Sequence, residues 1–581
     1  MPLLIRNHWI LLIAVVLAAT VPFINKAFHI DDVLYLRIAE QIRRTPWDPF
    51  GQTVNETVLW DAKDGQPATL FDTDYNPPLW KYVLAGSIAT FGGEEWKLHL
   101  VSMGFLFIAT FGLYLLSRRL TGRPLWCVVM IILSPFFLPG QNLMLEVPVL
   151  AFISWGSYFQ WRSWDRGSAV DSLIAGLFIG LAIVTKYSAG LFLPLLFLGT
   201  LLAFMEGKPK ASWKSFLFLL PAVGILGIWC AHNLFFYGQM HLTSHGVGFK
   251  PEEWLARVLV VLRIVGAVSF LGPVWWVALW RRGAIGRWGL LVIFLVSVGL
   301  SLLDIEIMNA IYTKQGKTLV GHLAAHAILF TTLGTATCLS VVFNSACSLI
   351  SDWRTWWRSF DDRQLELWIF MLFLFNVTSV PFNAVRHLLV FFLALTWLAA
   401  RTADRERLKV LPIALSVGTV LLAYALASGD YTYAEMNRQI PKTRIREDMR
   451  RGAQIWYSGT WGFKYYAERE GAKPYFPGIE RYNVGRPIPG DLIYLPKLQN
   501  WAPVMRTLPA ARIIETIAPT NYNLAMPIAP GASAYGTTVH LLPWVTPLMF
   551  DFADGMVSPV WMPLELVQIY KVGSVRRDPM K

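Results

Sequence analysis

The chain consists of long apolar runs that alternate with short polar segments. A helix that crosses a membrane needs roughly 20 apolar residues, and the pattern predicts about thirteen such spans. They lie near residues 8–25, 99–117, 124–139, 143–161, 170–185, 187–205, 213–236, 256–280, 288–303, 319–349, 365–381, 385–400 and 409–428. The first run is long, and no small-residue cleavage site precedes Pro22, so we interpret it as an uncleaved span. The pattern predicts a polytopic α-helical membrane domain over residues 1–428.

The pattern changes after residue 428, where Gly, Pro and charged residues become more frequent. The apolar run at 492–495 follows a Gly-Asp turn and is typical of a short buried strand. Residues 453–457 predict a second strand, and residues 463–470 predict a helix. We therefore expect a small α/β domain over residues 429–581.

Composition agrees with a membrane protein. Hydrophobic residues make up 55% and charged residues 15% of the 581 residues, which excludes a disordered chain and an ordinary cytosolic protein. The net charge of +13 comes from short basic clusters between apolar runs, such as Arg118, Arg119 and Arg123. We interpret these clusters as signals of membrane topology and expect no nucleic acid among the partners.

The distribution of Lys and Arg predicts which side of the membrane each loop occupies. Loops of one parity contain most of these residues, and such loops are typically cytoplasmic. The N-terminus is then inside. The long first loop, residues 26–98, and the tail after residue 428 are predicted to lie outside, in a periplasm or lumen.

Ionisable residues recur at the predicted outer ends of the spans and in the first loop. Asp31 and Asp32 follow the first span, Asn76, Pro77 and Lys81 close the first loop, and Glu146, Lys186, Tyr187, Arg386 and His387 flank later spans. Charged groups at membrane depth are costly and are therefore usually functional. A carboxylate can remove a proton from a hydroxyl group, and Lys or Arg can neutralise a leaving phosphate. This set predicts a reaction on an anionic, lipid-linked substrate at the outer face.

Each of these residues also has a purely structural explanation. Asp31 and Asp32 could cap the amphipathic helix that the pattern predicts over 33–44. Glu146 could stand at a helix start because the helix dipole favours an acid there, and Lys186 and Lys81 could be interfacial lysines. The histidines lack a zinc-binding spacing, so we expect no metal ligands among them, while a divalent cation between the acids stays open.

Two other classes of function fit an outward-facing groove, namely a secondary transporter and a non-catalytic lipid-binding protein. A transporter carries its intramembrane charges near the midplane, often in two repeated halves. Here the charges cluster at one face, and the sequence shows no internal repeat. An enzyme is therefore the preferred interpretation.

At these residues, the chain resembles the C-type integral-membrane glycosyltransferases, in the group that holds protein O-mannosyltransferases and the lipid A aminoarabinose transferase. The matching pieces occur in the family's order: the acidic pair in 29–35, the Asn76-Pro77-Pro78-Leu79 motif, Glu146-Val147-Pro148, the Gly-Leu-Ala to Thr-Lys-Tyr stretch at 180–187, and Arg386-His387-Leu388-Leu389. Residues 459–471 and 489–491 also resemble the outer domain of bacterial members.

The resemblance implies an inverting transfer of a sugar from a polyprenyl-phosphate donor to a hydroxyl group of an envelope lipid, glycan or protein. The protein would lie in a bacterial inner or plasma membrane, with its active site on the extracytoplasmic side. The resemblance implies that Asp31 is the general base, although Asp32 stays open for this role, and that Glu146 is the second acid. Lys186, Arg386 and Lys81 would bind the donor phosphate, and Asn76, Pro77, Tyr187 and His387 would position the substrate.

Three positions depart from the family's pattern. Asn76 stands where His or Lys is frequent, so phosphate contact would fall to Lys81, Lys186 or Arg386. The second acid is Glu146 rather than Asp, and His387 replaces a common Tyr. These departures affect how the donor is bound in the site, and they do not change the class of reaction that the resemblance implies.

Overall fold

The computed structural model describes most of the chain. The described residues are 2–51, 57–58, 68–140, 142–205, 211–244, 253–314, 321–354, 359–380, 383–459, 461–475, 485–496, 511–517, 525–528, 538–541 and 567–573. The fold is mostly helical, with a small C-terminal domain that contains a sheet. Both features were predicted from the sequence and are confirmed.

Helices make up most of the described residues up to residue 450, and one more helix follows in the C-terminal domain. They are α1 (Pro2–Thr20), α2 (Asp32–Arg44), α3 (Leu70–Thr73), α4 (Leu79–Phe91), α5 (Glu95–Leu120), α6 (Pro124–Ile132), α7 (Glu146–Arg166), α8 (Ala169–Ile183), α9 (Phe192–Met205), α10 (Leu219–Tyr237), α11 (His241–Ser244), α12 (Trp254–Val268), α13 (Gly272–Arg281), α14 (Ala284–Lys314), α15 (Gly321–Ser351), α16 (Phe360–Thr378), α17 (Leu389–Arg405), α18 (Val410–Ile440), α19 (Arg446–Arg450) and α20 (Trp461–Arg469). Single turns of 3-10 helix lie at Val21–Phe23, Leu138–Gly140, Tyr187–Leu191, Trp213–Phe216 and Val385–Leu388, and a π-helix lies at Pro441–Ile445.

Within the described residues, seven helices are long and apolar enough to cross a membrane, or eight if one bent pair is counted as a single span. These helices identify an integral membrane protein. The predicted span at 256–280 is this bent pair: α12 and α13 meet at 88°. Pro273 stands near the start of α13, where it cannot donate a backbone hydrogen bond to a continuing helix. The predicted total of about thirteen spans stays a prediction.

A second difference concerns the predicted span at 124–139. Helix α6 ends at Ile132, and turns and a 3-10 turn at Leu138–Gly140 follow. Pro135 and Pro139 explain this early end, because a proline inside a helix removes a hydrogen bond and clashes with the preceding turn. The irregular segment after α6 leads directly to Glu146.

The C-terminal sheet has the strand order β4-β3-β5-β9-β6. The strands are β1 (Thr57–Val58), β2 (Ala68–Thr69), β3 (Ile455–Tyr457), β4 (Lys473–Pro474), β5 (Leu492–Pro496), β6 (Ala511–Ile517), β7 (Ala525–Ile528), β8 (Thr538–Leu541) and β9 (Val567–Val572). Strand β3 is parallel to β4 and β5, whereas β9 is antiparallel to β5 and β6. Strands β1 and β2 form one hairpin, and β7 and β8 form another.

The C-terminal domain continues from the last long apolar helix without a break. Helix α18 reaches Ile440, beyond the boundary predicted at residue 428. The buried Tyr433 of α18 packs in one core with Tyr457 and Tyr494 of the sheet and Phe463 of α20. The division of the chain into domains at 428 and 429 stays a prediction.

The amphipathic helix predicted over 33–44 is α2, and its apolar face is buried inside the protein. Leu34, Ile38 and Ile42 are all buried, and they belong to the same core as Trp80 of α4 and Tyr466 of α20. The two neighbouring helices cover the stripe that could otherwise have faced a membrane surface. Helix α2 is thus fixed between the first loop and the C-terminal domain, with Asp31 at its N-terminus.

Candidate active site

Asp31 is the residue that immediately precedes α2. Its side chain makes no capping hydrogen bond to the helix, which contradicts the structural explanation that it serves as a helix cap. Ile30 has a φ of 52°, a left-handed conformation that is unfavourable for a β-branched residue. Its presence next to Asp31 indicates that the surrounding structure imposes this local backbone geometry.

Arg386 connects Asp31 to the second acid. Its Nη2 lies 3.5 Å from Asp31 Oδ2, and its Nε lies 3.7 Å from Glu146 Oε1. Lys186 Nζ donates a hydrogen bond of 2.8 Å to Glu146 Oε1. The structure therefore brings together four of the sequence-predicted site residues, although they come from four separate segments of the chain.

The two acids differ in their exposure. The Asp31 side chain is 34% exposed, whereas those of Glu146 and Arg386 are each 12% exposed. Glu146 also contacts two cations, and Asp31 contacts one. Asp31 is therefore the acid that a reactant can reach, and Glu146 is the acid that holds the cations.

The surroundings of Asp31 raise its pKa above the usual value for an aspartate. Burial among protein atoms raises the pKa of Asp31, Arg386 lowers it, and the charge of Glu146 raises it again, with a net upward shift. A carboxylate with a raised pKa is a stronger base once it is ionised. The geometry and the charges thus suit proton transfer to Asp31.

Asp32 faces away from this cluster. Its side chain is fully buried. Its Oδ1 accepts a hydrogen bond of 3.0 Å from the backbone N–H of Leu143, and its Oδ2 accepts one of 3.2 Å from that of His29. A carboxylate that is shielded from solvent and accepts these two hydrogen bonds positions the backbone, and the catalytic role of Asp32 stays a prediction.

Lys81 lies in a buried ion pair, and its role in binding a donor phosphate stays a prediction. It is fully buried, 2.7 Å from Asp74 Oδ2, and it donates a hydrogen bond of 2.8 Å to the carbonyl oxygen of Pro77. Burial lowers the pKa of Lys81, and the neighbouring Asp74 opposes this effect. Its ammonium group is already occupied by the loop that carries the Pro-Pro motif.

Asp74 and Tyr35 are parts of the site that the sequence analysis missed. Lys81 Nζ lies 5.0 Å from the centre of the Tyr35 ring. The pKa of Tyr35 is raised well above its usual value, chiefly by burial and then by the charges of Asp31 and Asp74, which places this phenol among the acids. The sequence contained a signal for both residues: Tyr35 is four residues after Asp31, and Asp74 is two residues before Asn76.

The residues predicted to position the substrate lie around the same region. The backbone N–H of Asn76 donates a hydrogen bond of 2.9 Å to Asp74, and the carbonyl oxygen of Pro77 binds Lys81. The Tyr187 hydroxyl group accepts a hydrogen bond of 2.8 Å from Trp229. His387 follows Arg386 in the same 3-10 turn.

Three hydrogen bonds connect the first loop with the segment that carries Tyr187 and Lys186. The backbone N–H of Leu79 donates a hydrogen bond of 3.2 Å to the carbonyl oxygen of Val184, two residues before Lys186. His241 links the carbonyl oxygen of Asp74, at 2.7 Å, to the hydroxyl group of Tyr187, at 3.0 Å. The Pro-Pro loop and the turn that contains Lys186 are therefore one connected unit.

Among the residues that the structure describes, no group of three or more His, Cys, Asp or Glu side chains is arranged to hold a metal ion. The guanidinium group of Arg386 contacts both acids. Arg386 and Lys186 can bind an anion. The accessible carboxylate of Asp31, next to Arg386, can remove a proton in the same place.

Comparison with known families agrees with the motifs. Residues 75–235 match the family model described as dolichyl-phosphate-mannose-protein mannosyltransferase. The matched segment contains four of the predicted site residues, namely Asn76, Lys81, Glu146 and Lys186. This match confirms the resemblance to the group of C-type integral-membrane glycosyltransferases. No curated protein matches the chain.

Three solved structures with a similar fold are each distant in sequence. ArnT from Cupriavidus metallidurans, solved with undecaprenyl phosphate, has 13% identity and a TM-score of 0.37, over 88% of this chain and 96% of that one. An Archaeoglobus fulgidus oligosaccharyltransferase, in complex with zinc and sulfate, has 12% identity and a TM-score of 0.45, over 95% and 75%. The mycobacterial arabinofuranosyltransferase AftD has 12% identity and a TM-score of 0.31, over 99% and 40%. At such TM-scores, these similarities assign neither substrate nor site residues to this chain.

Proposed function

We propose that this integral membrane protein transfers a sugar from a polyprenyl-phosphate donor to a hydroxyl acceptor, with inversion at the anomeric carbon. The observation that carries the proposal is the cluster in which Arg386 joins Asp31 to Glu146, while Lys186 holds Glu146. The family match over residues 75–235, which is described as a mannosyltransferase that uses a lipid-phosphate sugar, supports the same class of reaction.

In the proposed reaction, the Asp31 carboxylate removes the proton from the acceptor hydroxyl group. The hydroxyl oxygen attacks the anomeric carbon, and the bond between that carbon and the phosphate oxygen breaks. The electron pair leaves with the polyprenyl phosphate. A single displacement of this kind inverts the configuration, and the proton remains on Asp31 until it is released to solvent.

Arg386 and Lys186 have the charge and the position to stabilise the departing phosphate. Both cations contact Glu146, and Arg386 also contacts Asp31, so the leaving group would be bound within reach of the base. Fixed cations that face a developing negative charge are usually among the largest contributions to catalysis. Glu146 would hold these two cations in place before the donor binds.

Lys81 and Asp32 receive positioning roles in this proposal. Lys81 and Asp74 form a buried ion pair below the Pro-Pro loop, and Asp32 binds two backbone N–H groups. The excess of Lys and Arg in the opposite loops puts the site on the extracytoplasmic side, where a lipid-linked sugar needs no nucleotide. The acceptor would be an envelope lipid, glycan or protein.

The test is transfer of a labelled sugar from synthetic polyprenyl-phosphate donors in proteoliposomes that contain the purified protein. We expect a covalent product from the intact protein, and a loss of about 10²- to 10⁴-fold in rate for Asp31→Asn, with normal expression and folding. The control is Asp361→Asn, a substitution of the same type in the ion pair with Arg119, which should transfer normally.

Other outcomes would contradict the proposal. Movement of a lipid-linked sugar across the bilayer without a covalent product would indicate a transporter. Donor binding without either product or movement would indicate a lipid-binding protein. Full activity of Asp31→Asn would overturn the assignment of the base.

A further inference from the structure

A second cluster of charged side chains is buried next to the segment that leads to Asp31. Asp430 of α18 forms an ion pair with Lys26, and its Oδ2 lies 3.2 Å from His29 Nε2. All three side chains are at most 1% exposed. Buried charges are costly to desolvate and persist only when they are well paired, so this cluster needs an explanation.

The cluster connects the segments that lead to the two acids of the site. Lys26 Nζ also donates a hydrogen bond of 3.0 Å to the carbonyl oxygen of Pro139, in the irregular segment before Glu146. His29 is two residues before Asp31, and Lys26 is five residues before it. The Asp430 carboxylate therefore holds Lys26 and His29 in the segment that leads to Asp31, and Lys26 in turn binds the backbone that leads to Glu146.

Asp32 makes the same connection closer to the site. It binds the backbone N–H groups of His29 and Leu143, and Leu143 is three residues before Glu146. The indole N–H of Trp80 donates a hydrogen bond of 2.6 Å to the carbonyl oxygen of Leu143 on the other side of that peptide segment. The two backbone segments are thus joined at two places, by Asp430 through Lys26 and by Asp32 directly.

The charges of the cluster balance when His29 is protonated. Lys26 and His29 would then carry two positive charges, and Asp430 and Asp32 two negative charges. Burial lowers the pKa of His29, but Asp430 and the hydrogen bonds with Asp32 and Asp430 outweigh this effect, and the net pKa is raised. A neutral, fully paired cluster is the arrangement that a rigid support requires.

We propose that Asp430 is a positioning residue for the sugar transfer proposed above, and that it acts through Lys26 and His29. It fixes the two backbone segments so that Asp31 and Glu146 stand on either side of Arg386. Because a displacement of about 1 Å in a catalytic group can cost about 10² in rate, such a support affects the chemical step more than donor binding. The inference rests on the proposed function.

The test compares Asp430→Asn with Asp304→Asn in the full-length protein in proteoliposomes. Asp304 is the matched control because it is also buried on a long apolar helix and paired with a cation, Arg263, at 2.5 Å. We expect Asp430→Asn to lower kcat about 10- to 100-fold while KM for the polyprenyl-phosphate sugar changes less than about twofold. Asp304→Asn should leave kcat unchanged, even if it lowers the thermal unfolding temperature as much as Asp430→Asn does.

A second variant covers the case in which Asp430→Asn does not fold. Asp32→Asn keeps the shape of the side chain and one acceptor oxygen, so it can hold only one of its two N–H groups well. We expect kcat to fall about tenfold with an unchanged KM. The acidic limb of the pH profile should move to lower pH, because the negative charge of Asp32 is one of the causes that raise the pKa of Asp31. A loss of about 10²- to 10⁴-fold in rate, the size expected for removal of the base, would make Asp32 the base and would overturn its positioning role.

The remaining outcomes separate this inference from the proposed function. No transfer by the intact protein would refute the proposed function itself. Transfer by the intact protein together with full kcat in folded Asp430→Asn would refute the positioning role alone. An equal fall of kcat in Asp430→Asn and Asp304→Asn would also refute it, because the effect would then reflect general stability.

Discussion

Replacement of Arg386 by Gln has an effect whose size can be worked out from the structure. Arg386 Nη2 lies 3.5 Å from Asp31 Oδ2. Two unit charges at this distance interact by about 1 kcal/mol in water and about 5 kcal/mol at an effective dielectric constant of about 20. Because 34% of the Asp31 side chain is exposed, solvent screens the charges, and we expect an interaction energy near the lower value, about 1–2 kcal/mol. This energy corresponds to about one unit in the pKa of Asp31.

The direction of the effect follows from the form of Asp31 that Arg386 stabilises. Burial raises the pKa of Asp31, and Arg386 is the largest influence that lowers it. Without Arg386, the pKa therefore rises further, and Asp31 is ionised only at higher pH. The acidic limb of the kcat/KM profile should move to higher pH by about one unit, and kcat should fall about 10²- to 10³-fold because the leaving phosphate loses a cation.

The assay is the pH dependence of sugar transfer at limiting donor concentration, for the intact protein and Arg386→Gln. The control is Arg446→Gln, which removes an arginine from an ion pair with Glu470 in the C-terminal domain. That variant should keep both the rate and the profile. An acidic limb that stays in place or moves to lower pH in Arg386→Gln would refute the reasoning, because Asp31 would then not be the titrating base.

Two further predictions concern the lysines. Lys186→Met removes a charge-assisted contact with the donor phosphate, so affinity for polyprenyl phosphate should fall about 10- to 100-fold in an equilibrium binding assay, and a change below about twofold would contradict that role. Lys81→Met leaves the buried Asp74 without its cation and should lower the free energy of unfolding by about 3–5 kcal/mol, measured by thermal unfolding in detergent. Adding Asp74→Asn should restore most of that stability; a stable Lys81→Met variant with a raised donor KM would instead show that Lys81 binds phosphate.

Residue order along the chain made part of the site predictable. Glu146 and Lys186 stand at the outer ends of predicted spans, and parity places those ends on the same side of the membrane. Their side chains are in fact 2.8 Å apart. The same logic predicted Arg386 near Asp31, since each flanks a span on that side.

The errors in the sequence analysis came from properties that a linear pattern does not contain. The sequence favoured Asp31 as the base but left Asp32 open, because it does not show that neighbouring residues at this helix start, which point roughly 100° apart, have different surroundings. The ion pair of Lys81 with Asp74 was missed because the sequence does not show that the loop folds back to bring Asp74 within 2.7 Å of the lysine. The bend between α12 and α13 was missed because hydrophobicity alone does not report the direction of a helix.

The sequence by itself determined that the chain is a membrane protein with a small sheet domain, and it determined which polar residues lie near one face. The reason is that a bilayer requires apolar segments of a fixed minimum length, and this requirement is visible residue by residue. Only the tertiary structure decided that Arg386 joins the two acids, that Asp32 points inward, and that Asp430 holds Lys26 and His29 from a helix about 400 residues away in the sequence. Contacts of this kind depend on how helices pack against each other, and many packings are compatible with the same apolar pattern.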